Sequence, residues 1–144
     1  MKYYMEHQKN KILVDSCVWV AFYDINDRQH GKAVIIFKTL QRKNIKPLVH
    51  LLVLIETLSI LKYKKILKND LKKIKINMLN SQIFDFIDET KLGFDEKIFE
   101  KLYEDNKMGL VDLILLDYCQ KNKLDLLTLD KAMDKEWTEL NLRN

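Results

Sequence analysis

GLVDLILLDYCQKNKLDLLTLDK, residues 109–131, decides the reading of the fold. It opens on an almost wholly apolar stretch, 110–120, with the length of a helix and one acid near its start, Asp112. A polar break follows, and then DLLTL, 125–129, which ends at Asp130. A short apolar run bounded by polar residues reads as a buried strand. The same signature stands near the other end of the chain in KILVD, a strand over 11–14 ending at Asp15.

Between these two anchors, helical and strand patterns alternate. A helix follows Asp15 through Tyr23, and 24–30 is polar and turn-like. From Gly31, Ala33, Ile36, Phe37 and Leu40 share one face of a helix that Asn44 ends. Pro47 opens a second strand at Leu48 and Val49, and a long helix is expected over 51–66. A Lys-rich helix over 70–79, a strand over 83–87 and an amphipathic helix over 94–103 follow, and a last helix starts at Lys131. The fold class is therefore α/β: a three-layer sandwich with a mostly parallel sheet of four or five strands and helices on both faces. In such sheets ligands bind beyond the carboxyl ends of the strands.

Size and composition narrow the choices. A chain of 144 residues fits a single domain, 1–144, in which 1–10 reads as an N-terminal extension. With three Gly and one Pro, long helices are little interrupted. The net charge of +4 tolerates a polyanion without demanding one. Cys17 and Cys119 lie far apart, which argues against a disulfide scaffold or a zinc site. The N-terminus lacks the apolar core of a signal peptide. The longest apolar run, 48–61, is broken by His50 and Glu56 and is too short to span a bilayer. A cytoplasmic protein with no membrane partner is expected.

Four acids then stand out. Asp15 and Asp130 follow strands, so their carboxylates are expected on one edge of the sheet. Glu56 lies within LLVLIETLSIL, sharing a helix face with Leu52, Val53, Ile60 and Tyr63. Asp112 shares its face with Leu115, Leu116 and Cys119. Burying an ionised carboxylate costs several kcal/mol or more unless a base, a proton or a metal compensates it, and no basic residue lies within a helical turn of Asp112 on the sequence. Helix capping could account singly for Asp15, Asp130 and Asp112, whereas Glu56 is mid-helix and has no such role. A cation shared by all four is the economical explanation. Ser16 and Thr128 sit close enough to the strand-end acids to hydrogen-bond them, and Asp134, one turn beyond Asp130, is an auxiliary candidate. An all-oxygen, acid-rich set suits a hard cation, Mg²⁺ or Mn²⁺.

These segments resemble PIN-domain proteins. ILVDSCVWVAFYDINDRQHGKA resembles the family's opening motif, with Cys17 where a hydroxyl residue or Asn is expected. LLVLIETLSIL resembles the second motif, and GLVDLILLDYCQKNKLDLLTLDK the third and fourth joined. The resemblance implies a nuclease that hydrolyses single-stranded RNA with magnesium or manganese, carried by Asp15, Glu56, Asp112 and Asp130. Many members of this size are VapC-like toxins, so it also implies a small antitoxin as partner and a homodimer. The other readings are a non-catalytic PIN-like module that binds RNA or protein, and, from the strand-end acids alone, a receiver domain or a DxD phosphatase. The receiver needs an acidic neighbour for Asp15, and the phosphatase needs an acid where Cys17 stands.

Overall fold

The computed structural model describes residues 10–80, 82–88, 100, 104 and 108–143. Within them lie four strands, β1 (Lys11–Val14), β2 (Lys46–His50), β3 (Asp85–Ile87) and β4 (Asp125–Leu127). Six helices accompany them: α1 (Ser16–Tyr23), α2 (His30–Arg42), α3 (Leu51–Tyr63), α4 (Lys68–Met78), α5 (Leu110–Asn122) and α6 (Lys131–Arg143). The helix expected over 94–103 lies outside the described residues but for Glu100.

All pairings are parallel, and the strand order is β3-β2-β1-β4. The chain steps outward from β1 to β2 to β3 and then returns to place β4 on the other side of β1. Right-handed crossovers put the helices of the two directions on opposite faces. The reversal falls between β1 and β4, and the carboxyl ends of strands at such a point are the usual ligand position in a sheet of this kind. The register Val14↔Leu127 brings Asp15 and Thr128 to that same edge.

Element ends follow local chemistry. α3 stops at Tyr63, short of the expected residue 66, because Lys65 adopts φ 64 and leaves the helical region. Asn44 at φ 57 and Lys123 at φ 54 stand just beyond α2 and α5. β2 starts earlier than its apolar core, at Lys46, whose amide bonds Asn10 O at 2.7 Å. Pro47 is accommodated there because β3 joins β2 only from Leu48, so the strand has an open side at the proline.

The core is one cluster under the sheet's helices. Trp19 is fully buried, donates from Nε1 to Val14 O at 3.2 Å, and packs its ring against Phe37 and Phe84 at 4.8 Å each. Tyr23 bonds Asn77 Oδ1 through its hydroxyl. Both aromatic rings therefore serve packing. At the amino end of the sheet Asp85 takes Lys11 at 3.2 Å and Lys46 at 2.8 Å. No helix among the described residues is long and apolar enough to cross a membrane.

Candidate active site

The site is built where β1 and β4 end, where α5 begins and midway along α3. Asp15 terminates β1 and caps α1, accepting from Ser16 N at 2.8 Å through Oδ1. Its other oxygen accepts from Thr128 Oγ1 at 2.9 Å and from Cys17 Sγ at 3.3 Å. These bonds let the carboxylate sit at 3% exposure. Ser16 turns its hydroxyl the other way and donates it to Glu56 Oε1. One residue thus joins the strand-end acid to the mid-helix acid 40 positions later.

Asp130 caps α6, where Oδ1 accepts from Ala132 N at 2.8 Å and Met133 N at 3.1 Å. Thr128 Oγ1 accepts from Asp130 N at 3.0 Å, so the threonine hydroxyl links Asp130 to Asp15. Asp112 stands in the first turn of α5 and accepts from Gly109 N at 3.3 Å. Capping therefore holds for Asp15, Asp130 and Asp112, and each acid has a local reason for its place. What capping leaves unexplained is that they converge.

Convergence is written in the electrostatics of Asp112. Its carboxyl is pushed up from 3.8 to about 6, first by burial and then by the negative charge of Asp15; the Gly109 amide works against this, and the charges of Glu56 and Asp130 add smaller upward pushes. All three other acids are therefore close enough to repel it. No ion pair joins any of the four to a basic side chain among the described residues. Their nearest compensation is hydroxyl and amide dipoles. No three acid, His or Cys side chains among the described residues are drawn together tightly enough to enclose an ion; the Ser16 hydroxyl takes up Glu56, and the Thr128 hydroxyl takes up Asp15 and the Asp130 amide. The donor set fits a hard dication: it is all oxygen, anionic, without a competing base, and graded from buried Asp15 through half-buried Glu56 and Asp112 to exposed Asp130.

The faces differ in part from expectation. Leu115, Leu116 and Cys119 beside Asp112 are buried, but Glu56 is half-buried and Tyr63 on its side of α3 is 89% exposed. The buried stripe of α3 is Val53, Leu54, Thr57 and Leu61, so Glu56 lies at its margin, turned toward Ser16. Asp134 is exposed on α6; its amide bonds Asp130 O at 3.0 Å as the first helical bond, and no side-chain hydrogen bond or ion pair among the described residues links its carboxylate to the four. Asp117 pairs with Lys121 at 2.8 Å and belongs to the surface of α5. His30 bonds Ala21 O through Nδ1 at 2.8 Å, a packing role.

Two residues at this edge escape a reading of the sequence. Cys17 touches Asp15, approaches Thr128 Oγ1 at 3.4 Å and accepts from Leu129 N at 3.3 Å. Burial and the Asp15 charge push its thiol up to about 11, so it is a donor and not a nucleophile. Its position two residues past a strand-end acid is the available signal. His50 ends β2, is fully buried, and caps α3 by accepting from Leu52 N at 3.1 Å through Nδ1. Burial lowers its pKa, and its ring meets Tyr118 edge-on at 5.2 Å. The residue fixes the start of the helix that carries Glu56. A polar residue at the junction of a strand and an apolar helix is a cap signal, and His is an uncommon residue there.

Comparison with known proteins places this geometry. The family model of the PIN domain matches residues 12–135. VapC20 of Mycobacterium tuberculosis, described as a sarcin-ricin loop cleaving toxin, superposes with a TM-score of 0.71 at 18% identity, covering 87% of this chain and 94% of the other. A comparison with curated protein sequences finds no match.

Proposed function

We propose, from the premise that this chain belongs to the PIN-domain family, that it is a metal-dependent endoribonuclease that hydrolyses phosphodiester bonds in RNA. The carrying observation is the linked set at one sheet edge, where Ser16 joins Asp15 to Glu56 and Thr128 joins Asp15 to Asp130, with Asp112 near enough to feel their charge and no base paired to any of the four among the described residues. The likeness to VapC20, described as a sarcin-ricin loop cleaving toxin, supports a cleaving toxin as the role, and with the family it supports RNA as substrate.

Asp15, Glu56, Asp112 and Asp130 would hold Mg²⁺ or Mn²⁺, with Ser16 and Thr128 orienting their carboxylates. The bound cation would offset the carboxylate charge, activate a water and stabilise charge on the phosphate. The protein's part is placement. Asp15 is fixed from both oxygens, so it is a positioned ligand and not a free base. Asp112, raised to about 6 in the metal-free chain, carries a burial and repulsion penalty that a bound cation would relieve. In-line attack forms a bond from water oxygen to phosphorus and breaks the bond from phosphorus to the 3′ oxygen. The water proton goes to Asp112 or Glu56 and the 3′ oxygen takes up a proton, leaving a 5′-phosphate and a 3′-hydroxyl. Cys17 and Thr128 hold the β4 turn against Asp15 throughout.

The partners that follow are single-stranded segments of RNA, a small antitoxin protein and a second copy of the chain. The whole chain would act as one domain in the cytoplasm. The test is cleavage of single-stranded RNA with Mg²⁺ or Mn²⁺, abolished by EDTA and by Asp15→Asn, with 5′-phosphate ends on the products. Cleavage that persists in EDTA, or that leaves 2′,3′-cyclic ends, would refute the metal mechanism. The second reading is a non-catalytic PIN-like binding module. Retained RNA binding with no cleavage of any RNA offered, structured ribosomal RNA included, would favour it.

A further inference from the structure

Charge on this protein is gathered in one place. The stretch KYKKILKNDLKKIK, residues 62–75, holds seven lysines and one acid, Asp70. Its formal charge of +6 exceeds the +4 of the whole chain, so the remaining residues sum to −2. The stretch forms the end of α3, the turn at Lys65 and most of α4. All seven lysines are exposed. Among the described residues only Lys64 of the seven is ion-paired, to Asp24 and Asp27 at 3.0 Å each, which ties the hairpin to the loop after α1.

The arrangement on α4 is one-sided. Ile74 and Met78 are buried against α3, and Lys68, Lys72 and Lys75 recur at i, i+4 and i+7 on the outer side. Tyr63, the most exposed large apolar side chain described, stands between Lys62 and Lys64. Lys62 stands six positions beyond Glu56 on α3, a rise of about 9 Å. The basic face therefore begins within two helical turns of Glu56 along α3.

We propose that the α3–α4 hairpin is an RNA-docking surface, gripping phosphates that flank the bond held at the acids, with Tyr63 as a stacking platform. The inference rests on the ribonuclease reading and locates its substrate. Unpaired lysines on one helix side match a polyanion, and a neighbouring exposed aromatic is the usual companion for unpaired bases. An anionic membrane fits less well: an interfacial helix needs its apolar face free, and that of α4 is spent on the core. A protein partner would want a continuous apolar centre, whereas Tyr63, Leu67 and Ile76 are scattered among lysines.

The test uses the full chain with K68Q/K72Q/K75Q, and K32Q/K38Q/K43Q as a matched control on α2 and its end, all exposed positions. Binding of a fluorescent stem-loop RNA is followed by anisotropy in EDTA, so that cleavage plays no part. The hairpin variant should bind more weakly, and its slope of log K against log salt should fall by about 2 in magnitude, on the order of 0.7 for each phosphate that a lysine no longer neutralises. The control should keep the wild-type slope. With metal, the hairpin variant should show a raised KM and an unchanged kcat, and Y63A should weaken binding without changing the slope. Equal slopes for wild type and hairpin variant would overturn the proposal. So would an unchanged KM, or RNA affinity intact while binding to phosphatidylserine vesicles is lost. RNA binding lost in the hairpin variant of a chain that never cleaves would refute the nuclease reading and leave the docking surface standing.

Discussion

Replacing Asp112 with asparagine removes a charge that the fold resists while keeping an oxygen that can accept from Gly109 N. The folded carboxyl titrates at about 6 against 3.8 for the ordinary group. Below the lower value it is protonated in both folded and unfolded chains and costs nothing. Between the two, the unfolded chain loses its proton first, so the folded state binds more protons and stability falls as pH rises. Above the upper value the penalty is complete. A gap of this size corresponds to about 3 kcal/mol, and solvent screening at a half-buried site reduces it to about 1–2 kcal/mol. Asp112→Asn should therefore raise the Tm of the metal-free protein by roughly 2–8 °C near neutral pH, and by little at about pH 4, where the wild-type carboxyl is protonated. Adding Mn²⁺ should reverse the order, because a cation at a hundredfold excess over its Kd stabilises the wild type by about 2.7 kcal/mol. The assay is a set of melting curves at both pH values, in EDTA and in Mn²⁺. Comparing the variant with wild type at each pH cancels the titration of other groups, including His50, whose lowered pKa works in the opposite sense. A variant no more stable than wild type near neutrality in EDTA would refute the convergence of charge at Asp112. A gain that survives saturating Mn²⁺ would refute its role as a metal ligand.

Further outcomes can be checked in the same preparations. Glu56→Gln should lower the cleavage rate at least ~100-fold, the scale of a lost acid–base or electrostatic group, and wild-type rates in that variant would remove Glu56 from the site. Thr128→Val should weaken Mn²⁺ affinity by roughly 10–100-fold, measured by calorimetry, since its hydroxyl orients Asp15 and holds Asp130 N. His50→Ala should lower stability by about 1 kcal/mol and His50→Asn should restore most of it, because Asn caps helices well; denaturant midpoints decide this. Trp19→Ala should cost about 3–5 kcal/mol, as a fully buried aromatic at the centre of the core does, and a smaller loss would show that the cluster around it repacks.

Much of this is legible because the sheet advertises its own edges. KILV and DLLTL are too short and too apolar to be anything but buried strands, and each is followed by an acid, so the sequence alone puts Asp15 and Asp130 on one edge. The pairing of β1 with β4 is less visible, since strand order depends on contacts between distant segments. Side-chain direction is harder still. Spacing puts Glu56 on a buried face, yet Tyr63 on that side is exposed, because α3 buries a stripe about one residue round the helix. Cys17 and His50 stay silent for a different reason. A thiol and an imidazole in apolar surroundings carry no signature until a partner is known, and their partners at Asp15, Leu129 and Leu52 become visible only when the chain is folded.

The β1–β4 pairing has a temporal consequence. Asp15 leaves the synthetic machinery 113 residues before Thr128, the hydroxyl that completes its hydrogen bonds. At translation rates of about 5–20 residues per second, the interval is on the order of 10 s. During that time α1 to α4 can gather around β1 to β3, but the edge beside β1 stays unpaired and the four acids cannot meet. A nascent chain of this protein therefore cannot bring Asp15 and Asp130 to one edge of the sheet until β4 has emerged and paired with β1.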